Sequence, residues 1–130
     1  MSQTVPTSLS RYMILGFRLA LLTVTIVVMY LATTDQSIPG IDDLDDKFSH
    51  ILAFGALSFL LDFSWPNRQF DLKKTAALLT FGIFIEVVQY FLPYREAAVT
   101  DVIADAVGIA VYLLVAPLLR HIPILRLRWV

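Results

Sequence analysis

Residues 12–31 read YMILGFRLALLTVTIVVMYL. The one charge in this run, Arg18, lies near an end, where a long side chain can snorkel to an interface. A helix needs about 20 mostly apolar residues to cross a bilayer, and this run is that length. Three further apolar stretches follow. Residues 48–65 are interrupted by His50 and Asp62, residues 75–94 by Glu86, and residues 99–119 by Asp101 and Asp105. Alternating segments of ~10 residues, the mark of a membrane barrel, are absent. The expectation is an all-α protein, a four-helix transmembrane bundle with helices at about 12–31, 48–65, 75–94 and 99–119. Turn signals fall between the stretches: Pro39-Gly40, Pro66-Asn67 and Pro93. No repeat or long linker divides the chain, so residues 1–130 read as one domain.

The composition agrees. Fifty-eight per cent of the 130 residues are hydrophobic and 16 per cent are charged. Soluble domains run near ~45–50 and about 25 per cent. A chain this short has too little interior to hide the excess from water. Disorder is excluded by the same figures. A net charge of −1 without a basic face argues against nucleic acid as a partner. The absence of cysteine removes disulfides, thiolate nucleophiles and cysteine zinc sites, and leaves the redox compartment open. A cleaved signal peptide is the rival reading of the first stretch. Its apolar core is long, and no A-x-A-like site follows.

Charge sorting sets the orientation. With the N-terminus inside, the inner regions carry Arg11, Arg18, Arg68, Lys73, Lys74, Arg120, Arg126 and Arg128, eight of the ten basic residues. The outer loops carry only Lys47 and Arg95, while Asp35, Asp42, Asp43, Asp45 and Asp46 crowd the first of them. This N-in/C-in arrangement satisfies the positive-inside rule and needs an even number of crossings. Tyr30, Tyr90 and Tyr94 then lie near the outer interface, and Tyr12, Trp65 and Trp129 near the inner one. Residues 120–130, RHIPILRLRWV, are basic and apolar together. They read as an interfacial tail drawn to anionic lipid or as a frayed end, and Pro123 argues against a continuous helix.

Polar residues within the apolar stretches form stripes. Asp46 and His50 are four apart and share a helix face with Lys47 beside them. Gly82, Glu86, Gln89 and Pro93 make a second stripe, and Asp101, Asp105, Gly108 and Tyr112 a third. All three are expected toward the outer helix ends. With Arg95 in the last short loop, they can place His50, Glu86, Gln89, Arg95, Asp101 and Asp105 in one outward-facing polar pocket. Gly82, Ala104 and Gly108 are small enough for the helices to approach closely.

Each residue carries a functional and a structural reading. Glu86, His50 and Asp105 are acid/base candidates, because a buried carboxylate and an imidazole are suited to proton transfer. Lys47, Gln89, Arg95, Asp46 and Asp101 are ligand-binding candidates, and Arg95 can clamp a phosphate or carboxylate through two nitrogens. On the structural side, His50 bonds Asp46, Glu86 pairs with Lys47 or Arg95, Arg95 pairs with Glu96, and Asp101 caps the fourth helix. No cofactor is expected. A zinc site is disfavoured because the only other histidine, His121, falls at the opposite side. A carboxylate site for Mg²⁺ or Ca²⁺ stays open. Ser49 and His50 are adjacent and point about 100° apart on a helix, which disfavours a triad. No phosphate-loop or dinucleotide glycine motif occurs.

Asp46-Lys47-x-x-His50, Phe54-Gly55, Glu86-x-x-Gln89, Pro93-x-Arg95 and Asp101 with Gly108 together resemble the VanZ-like family of small bacterial membrane proteins. The resemblance spans roughly residues 46–119, the motif-bearing part of the domain. Family members often carry Asn at the position of Asp105, and Ser or Thr in the run that here reads Ala97-Ala98-Val99-Thr100. The resemblance implies a multi-pass protein of the bacterial cytoplasmic membrane associated with the cell envelope. For the family's namesake it implies reduced susceptibility to teicoplanin. It supplies no reaction, and the oligomeric state is open. Three functions follow as expectations: a pocket that binds, and in one version modifies, an amphipathic envelope ligand; a non-enzymatic assembly or stability factor; and a proton-coupled transport component using Glu86 and Asp105. Membrane lipid and an envelope amphiphile are the expected partners.

Overall fold

A computed structural model describes residues 4–36 and 46–130. The expected Pro39-Gly40 turn and Asp42, Asp43 and Asp45 lie outside the described residues. The chain is all-helical: α1 is Arg11–Thr33, α2 Asp46–Ser64, α3 Leu72–Tyr90, α4 Val99–Leu119 and α5 Pro123–Arg126, followed by a 3₁₀ turn at Leu127–Trp129. Among the described residues there is no strand, only an isolated bridge between Thr4 and Arg68. α1 and α4 are long and apolar enough to cross a membrane, with mean hydropathies of 2.2 and 2.3. α2 and α3 carry more charge, at Asp46, Lys47 and Asp62 and at Lys73, Lys74 and Glu86.

Local chemistry sets the helix ends. The Ser10 side chain caps α1 by accepting from the Met13 amide at 3.2 Å. Asp71 accepts from the Lys73 and Lys74 amides, so α3 begins at Leu72 rather than near residue 75. It ends at Tyr90 rather than 94, where the Phe91 and Leu92 amides tighten onto Val88 and Gln89 ahead of Pro93. Pro123 opens α5, where its missing N–H costs nothing.

Consecutive long helices run antiparallel, because the end of α1 meets the end of α3 while the start of α1 meets the end of α2. The tightest packing joins α2 to α4. A Cβ on Gly108 would meet the Ile51 carbonyl oxygen at 2.5 Å and the Gly55 amide nitrogen at 3.1 Å. Only a glycine lets these backbones approach so closely. Phe54, Leu57, Leu78, Ile85 and Ile109 form the buried centre. No residue of α1 is buried, and Leu15, Leu19, Leu22 and Ile26 are exposed.

Candidate functional site at one end of the helices

Charged residues gather at the two opposite ends. At the first, α2 and α4 begin and α1 and α3 finish. One turn of α2 brings Lys47 and His50 against one turn of α4. His50 Nδ1 lies 2.6 Å from Asp105 Oδ1, a length typical of a charge-assisted bond. His50 Nε2 is 3.9 Å from Asp101 Oδ2. Lys47 Nζ is paired with Asp101 and lies 4.0 Å from Asp46. The result is a row: Asp105, His50, Asp101, Lys47. Asp105 is 0% exposed and Asp101 2%, while His50 and Lys47 are partly open and Asp46 is exposed.

Gly82 makes room for Asp105. A Cβ there would run into Asp105 Oδ2 and come within 3.3 Å of the Phe54 ring. That stripe therefore meets the carboxylate of α4, as its spacing predicts.

Glu86, Gln89 and Arg95 occupy the same end with different partners. Glu86 Oε2 accepts the Ala98 amide at 2.9 Å, which caps α4, whose own cap residue has no side-chain bond. Gln89 donates to the Ala32 carbonyl at 2.9 Å. Arg95 Nη2 donates to the Leu31 and Thr34 carbonyls, each at 2.7 Å, and the Tyr94 hydroxyl donates to Thr33 at 2.6 Å. These three residues close the carbonyl end of α1, where a cation also suits the helix dipole. Glu86 Oε1, Gln89 Oε1, Arg95 Nε and Asp105 Oδ2 are buried without a hydrogen-bond partner among the described residues.

The structural readings offered by the sequence are mostly replaced. His50 bonds Asp105. Asp101 pairs with Lys47 instead of capping α4. Arg95 turns to the end of α1 instead of Glu96.

Asp46, His50 and Asp101 hold potential ligand atoms within 4.8 Å of one another. Three donors fall short of the six or more oxygens a Ca²⁺ ion takes, about six for Mg²⁺ as well. The Lys47 ammonium already places positive charge between the two carboxylates. The cluster is thus better suited to holding an ammonium than a resident divalent ion. Chemically, Asp105 fixes the orientation of the His50 ring, and the ring can pass a proton at its outer edge.

At the opposite end lies a second cluster that no stripe in the sequence singles out. Asp62 Oδ1 accepts from Lys74 Nζ and from Arg128 Nη2, each at 2.9 Å, and Asp62 Oδ2 accepts the Tyr112 hydroxyl at 2.6 Å. Lys74 also donates to the Trp65 and Arg68 carbonyls, at 3.1 and 2.7 Å, closing the end of α2. Tyr112 was expected with the outer stripe. It belongs instead to this end, because the seven residues from Asp105 carry it about 10 Å along α4. The C-terminal segment is folded here: Thr7 Oγ1 and the Ser8 amide donate to Leu127, and Arg128 is 1% exposed. Asp62 interrupting an apolar stretch was the available signal. Its partner on the tail lies 66 residues away and has no local one.

Two helices, α1 and α4, are long and apolar enough to cross a membrane, and ionisable residues are buried at both ends of the helices. A family model described as VanZ/LLP1 matches residues 3–120, and the chain belongs to this VanZ-like family. No curated protein and no solved structure matches the chain.

Proposed function

We propose that the chain is a four-helix, multi-pass protein of the bacterial cytoplasmic membrane with both termini inside. In this reading the His50 end faces outward and binds the polar head of an amphipathic cell-envelope ligand: a lipid-linked precursor, a glycolipid or a glycopeptide. The observation that carries it is the bond between His50 and the fully buried Asp105, next to the Asp101–Lys47 pair. Intramembrane ionisable groups are costly, and two adjacent pairs at one helix end exceed what packing needs. Asp105 orients the imidazole, His50 exchanges a proton with the bound head group, and Lys47 donates to its polar oxygens from the open edge. Glu86 adds a second proton-exchanging group through its unpartnered Oε1. Gln89 and Arg95 keep the rim in place through the end of α1.

A second reading, a non-enzymatic assembly or stability factor, is favoured by the bonds from Glu86, Gln89 and Arg95 to backbone ends. Substitution separates the two. Glu86→Gln keeps an acceptor for the Ala98 amide and removes the titratable proton, so it should cost under ~1 kcal/mol of stability. His50→Gln should likewise insert and accumulate normally. Both variants are expected to lose the glycopeptide-susceptibility or envelope phenotype of cells that depend on the protein. Catalytic proton transfer is worth about 10²–10⁴-fold, so a functional role leaves little residual activity. Full activity in both would establish the assembly reading.

A further inference from the structure

A cavity lies at the Asp62 end. It measures about 440 Å³, within the ~300–1,000 Å³ range of small-molecule sites. Its lining includes Asp62, Tyr112, Arg120, Arg128, Phe70 and Trp129 and is otherwise mainly apolar. The charges around it do not balance. Among the described residues, Asp62 is the one carboxylate on the lining, and it takes two buried cations, Lys74 and Arg128, on the same oxygen. Arg128 uses Nη2 for Asp62 and for the Arg68 carbonyl, while its Nε and Nη1 are buried without a partner among the described residues. A guanidinium has five N–H donors, so three remain unused. Burying an uncompensated cation with idle donors is unfavourable unless something supplies the missing negative charge. Arg120 adds a second guanidinium on the lining. Both guanidinium groups lie near the Trp129 ring, with Arg120 Cζ 5.1 Å and Arg128 Cζ 5.8 Å from its centroid.

We propose that this cavity binds a phosphate oxyanion, held by Arg120 and Arg128, with any attached apolar group against Phe70. The shared chemistry is a phosphate group, carried by a lipid head group or by a soluble phosphate compound. The site is separate from the His50 cluster and does not depend on which end faces the cytoplasm. Both termini build it, since Val5 and Pro6 line it beside Arg128 and Trp129. Occupancy would therefore fasten the two chain ends together.

The test uses the full chain purified in a neutral detergent and measures thermal unfolding against added ligand. Inorganic phosphate, dihexanoyl phosphatidic acid and dihexanoyl phosphatidylcholine are the probes. A saturable rise in Tm with phosphate as well as with phosphatidic acid identifies a soluble phosphate as a sufficient ligand. A rise with phosphatidic acid alone identifies the lipid head group. Arg120→Gln removes one charge-assisted contact from the rim and should weaken the effective ligand about tenfold. Arg11→Gln, a basic residue at the same end but off the lining, should leave the affinity unchanged. No response to either anion, an equal response to phosphatidylcholine, or equal weakening by Arg11→Gln and Arg120→Gln overturns the proposal.

Discussion

The two ends of the molecule bury charge in opposite ways. At the His50 end, carboxylates outnumber certain cations: Asp101 and Asp105 are buried, Asp46 is exposed, and the partners are Lys47 and a histidine. At the Asp62 end, one carboxylate serves Lys74 and Arg128. The first cluster is partly open, and its titratable ring lies at the edge. The second is buried against the folded C-terminal segment and lines a cavity. The difference teaches that buried charge in one small chain can serve two purposes. Where one buried carboxylate is bonded to side chains from three different segments, the cluster fastens the fold. Where an open histidine is backed by a buried aspartate, our proposal assigns the cluster to proton exchange with a ligand.

The largest effect is expected from Asp62→Asn, which keeps the shape and strips the charge from beneath two buried cations. Breaking a buried ion pair from one side costs about 3–5 kcal/mol. Thermal unfolding of the purified variant should show a loss of that size. A loss as small as that from Glu86→Gln would erase the contrast between the two ends. Gly108→Ala should come next, at about 1–3 kcal/mol, because its Cβ meets backbone atoms that cannot turn aside. The loss should appear in the same unfolding measurement, and a neutral result would mean that α2 and α4 are not in close backbone contact. Tyr112→Phe should cost about 1 kcal/mol, above the ~0.6 average for polar pairs between membrane helices because its acceptor is charged. An unchanged Tm in that variant would detach Tyr112 from the Asp62 cluster.

The sequence made the first cluster legible and hid the second. Asp46 and His50 share a face at a spacing of four, as do Asp101 and Asp105, and α4 spans 99–119 as its apolar run predicts. Helical period alone brings such residues to one edge, and small residues on the same stripes allow the edges to meet. The partners of Glu86, Gln89 and Arg95 were not legible. They are backbone atoms at the ends of other helices, and any residue type supplies a carbonyl or amide. The Asp62 cluster was hidden for a related reason. Arg128 lies beyond Pro123 in a tail whose basic, apolar composition reads equally well as lipid-facing. Its burial depends on Thr7 and Ser8 holding Leu127 and Val130 across more than a hundred residues of chain, and no local pattern encodes that contact.

The opposite charge of the two ends makes a direct statement about orientation. Eight of the ten basic residues fall on the Asp62 side or the segments leading to it, and our proposed topology puts that end in the cytoplasm on the positive-inside rule. The chain has no cysteine, so single replacements report without background. Asn67 lies in the exposed turn at the Asp62 end and Glu96 is exposed at the His50 end. In intact cells, a membrane-impermeant maleimide should label Glu96→Cys and leave Asn67→Cys unlabelled until the membrane is opened. Labelling of Asn67→Cys from outside, with Glu96→Cys protected, would contradict the outward-facing His50 cluster.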